Sequence, residues 1–153
     1  MSYVEIHPVW RTIRERYQKM IQGLPQEDLG LRLAPDASSI GHMIRHNAEV
    51  EYMFASWFFG SPVPEHIEYL ANGKGGLDNE AEYTAEEIVA FSAASDAHLT
   101  DAMRNLPEQA WDVAVDSPIG PSTPREALGR TMYHSGLHAG QISLIRKHAL
   151  RVE

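Results

Sequence analysis

The sequence predicts an all-α protein, an up-and-down four-helix bundle with long connections. Three observations carry that expectation. Four segments repeat apolar residues at three- and four-residue steps, each has recognisable helix ends, and no stretch alternates well enough for a sheet. At 153 residues the chain has the length of one domain, spanning 1–153.

The first helix is expected to open near Pro8, which lacks the amide hydrogen that a first turn leaves unpaired anyway. Val9, Ile13, Tyr17, Met20 and Leu24 make its apolar stripe, and Gly23 and Pro25 stop it. The second begins at Ser38 or Ser39, either able to cap, and ends at Phe59-Gly60. Met43, His46, Val50, Met53 and Trp57 share one face, with Ala48, Glu51 and Ala55 expected to point away.

Thr84 and Glu87 form a capping box that starts the third helix. Its inward face carries Ile88, Ser92, Ser95, Leu99, Ala102 and Leu106, and Pro107 closes it. The fourth opens likewise at Thr123-Pro124-Arg125-Glu126 and runs to about Leu150. The connection from Gly60 to Tyr83 is expected to hold a short helix around Pro64 to Ala71, then a flexible stretch from Asn72 to Gly76. Trp111 to Val115 alternates weakly, as an extended segment or short strand would.

Composition narrows the chemistry. Lys and Arg number 13 against 21 Asp and Glu, a net charge of −8 that disfavours nucleic acid or an anionic membrane as partner. The start of the chain lacks the basic and apolar segments of a signal peptide, and the longest apolar run, 52–59, is too short to span a bilayer. The expected location is the cytoplasm and the expected partner a small molecule. Zero cysteines exclude disulfides, thiolate nucleophiles and Cys-type metal sites. Eight histidines remain for metal or acid–base work.

Their spacing is informative. Chance placement would give about 0.4 pairs at i, i+4, where two imidazoles stack on one helix face. This chain has two such pairs, His42/His46 and His134/His138. On the fourth helix the face between His134 and His138 also carries Ala127, Thr131, Leu137, Gln141, Ile142 and Ile145, while Gly136, Gly140, Ser143, Arg146 and Lys147 lie opposite. Both imidazoles are therefore expected to point into the bundle, where an unpaired polar group costs about 1–3 kcal/mol. His46 points inward from the second helix. Three neutral imidazoles with an open fourth position compose a catalytic metal site, suited to Zn, Ni, Cu or Fe.

His42 lies at the flank of its stripe and is expected at the rim of such a site. His98, at the edge of the third helix's apolar face, could approach the same cavity but is expected nearer the surface, as are His7, His66 and His148. A di-iron carboxylate centre needs inward Glu-x-x-His pairs, and the sequence has none.

Two stretches, Ser39-Ile40-Gly41-His42-Met43-Ile44-Arg45-His46-Asn47-Ala48-Glu49 and Tyr133-His134-Ser135-Gly136-Leu137-His138-Ala139-Gly140-Gln141-Ile142, resemble the signatures of the DinB-like family, which includes the YfiT-like metalloenzymes. The resemblance extends to helix number, order and chain length. It implies a bundle holding a divalent metal on His46, His134 and His138, often as a homodimer. It also implies activity as a transferase or isomerase that uses mycothiol, bacillithiol or glutathione.

The expected mechanism is thus S-transfer from a low-molecular-weight thiol whose pKa falls on a divalent metal, zinc or nickel first, with iron, manganese or copper also compatible. Trp57 or Phe54 is expected to line the substrate mouth, and Gln141 to orient an imidazole. The alternatives are a hydrolase using metal-bound water, with Glu49 approaching as base, and a non-enzymatic dimeric stress or binding protein.

Overall fold

A computed structural model describes residues 3–71 and 83–149. Four helices form the expected bundle: α1 (Tyr3–Gln22), α2 (Ile40–Phe59), α3 (Ala85–Asn105) and α4 (Pro124–His148). α2 packs on both α3 and α4, and α1 packs on the same two. α1 and α2 therefore stand across the bundle from each other.

The helix ends follow the sequence signals closely. Ser39 caps α2 by accepting the His42 amide, and Gly60 ends it with φ +65°, a left-handed turn that suits a residue without Cβ. Both capping boxes form, Thr84 with Glu87 and Thr123 with Glu126. Gly41 keeps a close approach: a Cβ there would lie a tight 3.2 Å from the Leu29 carbonyl oxygen, which accepts the Gly41 amide at 2.8 Å.

Five local expectations are corrected. α1 starts five residues before Pro8, which lies on an exposed face where solvent can reach the carbonyl left without its donor. The buried stripe of α1 is Trp10, Arg14, Tyr17 and Ile21, rotated from the apolar one, and Val9 stays 49% exposed. Burial of an arginine is what rotates it. On α2, Ala48, Glu51 and Ala55 do not point away, because the helix is buried on nearly all sides. No helix forms at Pro64 to Ala71. That segment has only a turn joining the Ile67 amide to the Pro64 carbonyl, and its chain instead runs out to bury Ala71.

The expected flexible stretch from Asn72 to Gly76 lies outside the described residues. Trp111 is buried against Phe59, and the following residues make a single antiparallel bridge between Val115 and Ser122. Leu137, expected inward, is 43% exposed.

The core has two apolar halves. One gathers Trp10, Phe54, Phe58, Leu99, Met103 and Leu128; the other gathers Tyr17, Ile21, Ile44, Ile88, Ile142 and Ile145. Along every helix the residues between these halves are polar: Arg14 on α1, Asn47 and Glu51 on α2, Ser92 and Ser95 on α3, Thr131 and Ser135 on α4. This polar layer positions the candidate site.

Candidate metal centre

Each polar group in the layer must find a partner away from water. Arg14, fully buried, donates from Nε to Glu51 at 3.0 Å and from Nη2 to the Ser92 carbonyl at 2.7 Å. Burial raises the Glu51 carboxyl above the ordinary range, and the Arg14 guanidinium opposes that rise. Asn47 Nδ2 donates to Glu51 Oε1 at 3.1 Å. Asn47 Oδ1 then accepts from Ser135 Oγ at 3.2 Å and faces His134 Nδ1 at 3.2 Å. One hydrogen-bonded chain thus links all four helices and ends on an imidazole.

The other two histidines are held similarly. His46 Nδ1 meets the Ala71 carbonyl oxygen at 2.9 Å, and His138 Nδ1 meets Gln141 Oε1 at 2.7 Å. Ala71 is itself fixed by Glu49, whose carboxylate accepts the Leu70 amide at 2.6 Å and the Ala71 amide at 2.9 Å. Arg45 holds Glu49 at 2.9 Å and donates to the Glu68 carbonyl.

These partners settle the tautomers. A carbonyl oxygen only accepts, so the proton sits on Nδ1 of each ring and every Nε2 presents a lone pair. The three Nε2 atoms face one another. His46 to His134 is 3.1 Å and His134 to His138 is 3.0 Å, with all three ligand atoms within 4.8 Å of one another. No proton lies between them to make a hydrogen bond, so the lone pairs repel unless a cation sits among them. Nitrogens bound tetrahedrally at ordinary Zn–N lengths would be about 3.3 Å apart. The residues fit a three-His divalent metal site.

Electrostatics agree. Burial, with His138 and His46 alongside, depresses the His134 pKa to about 3. Burial also lowers that of His138, against the opposing bond from Gln141. Both rings stay neutral, as metal ligands must.

The three rings are half-buried rather than enclosed, and a cleft lies on each side. The first, about 420 Å³, is lined by Leu33, Ser38, His42, His46, His138 and Gln141 among others. The second, also about 420 Å³, is lined by Met53, Phe54, Trp57, Arg130, Tyr133 and His134 among others.

The sequence-derived residues therefore divide. His46, His134 and His138 converge, and Gln141 orients His138. His42 lines the first cleft with its ring nearly parallel to that of His46 at 6.3 Å. Trp57 and Phe54 line the second. Glu49 is corrected: fully buried and fully engaged with Arg45, Leu70 and Ala71, it has no access as a base. His98 lies near Ser61 and packs on Tyr52, apart from the triad. Of the remaining histidines His66 and His148 are exposed, while His7 is half-buried against Tyr3.

Sequence reasoning missed Asn47, Glu51, Ala71 and Arg14. The i, i+4 pairs Asn47/Glu51 and Arg45/Glu49 were the available signal, together with the density of large apolar residues around α2.

Known proteins place this geometry in a family. The structure is similar to a DinB-like protein from Bacillus cereus, with TM-score 0.73 and 17% identity over 97% of this chain and 95% of that one. A DinB-like protein from Bacillus subtilis gives TM-score 0.71 and 15% identity over 97% and 96%. A mycothiol-dependent maleylpyruvate isomerase gives TM-score 0.67 and 17% identity, covering 93% of this chain but 61% of that longer one. No curated protein matches the sequence. Among the described residues no helix is long and apolar enough to cross a membrane. A sequence model of the DinB superfamily matches residues 10–142, most of the bundle and all three converging histidines, and the chain belongs to that superfamily.

Proposed function

We propose that the protein is a metal-dependent enzyme that joins a low-molecular-weight thiol to an electrophilic small molecule. The observation that carries this reading is the set of three imidazoles, each donating from Nδ1 to an oxygen acceptor, with their Nε2 lone pairs turned on one point. His46, His134 and His138 would hold a divalent cation, zinc or nickel first, with iron, manganese or copper also suited to imidazole. Such a cation supplies the charge that makes a bound thiol a thiolate at neutral pH.

The chain's own residues do the rest. Ala71, Asn47 and Gln141 fix the rings, and the flanking clefts admit two reactants from opposite sides. With no cysteine of its own, the protein takes its sulfur from the co-substrate. The shared fold with a mycothiol-dependent isomerase supports thiol use. The occupation of Glu49 by backbone amides argues against a water-activating hydrolase.

The test pairs metal analysis with turnover. Untagged protein should carry stoichiometric divalent metal, and His46→Leu should lose it while circular dichroism still reports a folded bundle, because an apolar residue suits that wall. Metal-loaded protein should speed addition of thiols to 1-chloro-2,4-dinitrobenzene, forming the S–C bond as chloride leaves and the thiol proton passes to buffer. Equal metal in both proteins would remove the site. Chelator-sensitive hydrolysis of 4-nitrophenyl acetate without thiol would assign the water reaction instead.

A further inference from the structure

The two clefts beside the triad differ in charge. Among the described residues the first has no Lys or Arg in its lining, and it offers His42, Ser38 and Gln141. The second has an apolar wall with one cation. Val50, Met53, Phe54 and Trp57 follow one another along α2 at three- and four-residue steps and so line the same side. The Phe54 and Trp57 rings lie 5.9 Å apart, and Tyr133, 72% exposed, faces the cleft from α4. Arg130 precedes His134 by one helical turn on α4, so guanidinium and imidazole share a face.

Arg11, Arg14, Arg45, Arg104, Arg125 and Arg146 are each held by a carboxylate. Exposed Arg130, like Arg16, makes no hydrogen bond or ion pair among the described residues, and of the two it is Arg130 that lines the second cleft. A guanidinium at the end of an aromatic wall suits a flat apolar body that ends in a planar anion.

We propose that this second cleft binds the electrophilic substrate, an apolar planar molecule bearing one carboxylate, and that Arg130 is its anion anchor. The carboxylate pairs with Arg130, the body lies along Phe54 and Trp57, and the other end of the molecule reaches toward His134. The thiol is left the first cleft. The assignment of a reaction to this cleft rests on reading the triad as a metal centre, but the anion site does not.

Calorimetric titration of the full-length protein with 2-naphthoate and its neutral counterpart 2-naphthamide tests the proposal, as purified and after chelator treatment. Naphthoate should bind at least about fivefold tighter than the amide, with or without metal, as one partly exposed charge pair allows. Arg130→Gln should erase the preference without changing affinity for the amide, and Arg130→Lys should keep part of it. Trp57→Leu should weaken both probes. Equal affinity for the probes, absence of binding, or a preference that survives in Arg130→Gln would overturn it. A preference seen only with metal would move the carboxylate to the cation and also overturn it. Loss of metal binding in the wild type would refute the proposed function while leaving this result intact.

Discussion

Asn47 Oδ1 lies 3.2 Å from His134 Nδ1 while Asn47 Nδ2 donates to Glu51 at 3.1 Å. Because a carboxylate accepts and cannot donate, Glu51 fixes which way the Asn47 amide faces. The amide in turn fixes which nitrogen of His134 carries the proton. A buried ion pair one helical turn from Asn47 therefore sets the state of a ring in the candidate metal site.

Replacing Asn47 by Ala should weaken metal affinity by about 10–100-fold, the usual effect of removing a ligand's outer partner. It should also destabilise the fold by about 1–3 kcal/mol, since Ser135 and Glu51 each lose a buried bond. Competition titration with a chromophoric chelator reads the first and urea unfolding the second. Unchanged affinity would mean that His134 keeps its tautomer unaided.

Arg14→Met should cost about 3–5 kcal/mol, because it leaves Glu51 buried without its cation. Glu51→Gln should cost a similar amount, since it leaves the fully buried Arg14 guanidinium without its counter-charge, and the two losses should be strongly non-additive. Denaturant midpoints of the singles and the double give the coupling. Additive losses would refute the pairing.

Glu49 acts on His46 only through the backbone of Ala71. Glu49→Ala should free that segment, so metal affinity falls while the helices persist. Faster proteolytic cleavage near Leu70 should accompany the loss. An unchanged cleavage pattern together with unchanged affinity would show that the Ala71 carbonyl needs no such anchor.

Acid should destabilise the metal-free protein. The folded state holds His134 neutral down to about 3, whereas in the unfolded chain an imidazole takes a proton near its ordinary 6.5. Between those values this imidazole takes up its proton only in the unfolded state, so its contribution to stability is full above about 6.5 and declines as pH falls toward 3. Thermal midpoints of chelator-treated protein between pH 8 and 4.5 measure this, and His134→Leu should flatten the curve. Parallel curves for wild type and His134→Leu would contradict the depressed pKa; the wild-type slope alone would not, because Glu51, raised to about 7, titrates over the same range with the opposite sign.

Much of the bundle could be read directly from residue order. Two capping boxes, Ser39, Gly60 and Pro107 punctuate the helices by local chemistry that involves only neighbours along the chain, and the five termini they mark lie within two residues of the observed ones. The His134/His138 pair was legible for the same reason, since residues four apart must share a face.

Tertiary structure alone decided the remainder. Arg14 enters the core because Glu51, distant in sequence, waits there, and no apolar period announces a charge that is compensated across the bundle. Ala71 becomes a partner of His46 only when Glu49 captures the passing chain. Which nitrogen each histidine offers depends on oxygen atoms supplied by other turns and segments, so the convergence of three lone pairs is a property of packing. Spacing along a helix fixes direction, whereas protonation and distance belong to the assembled bundle.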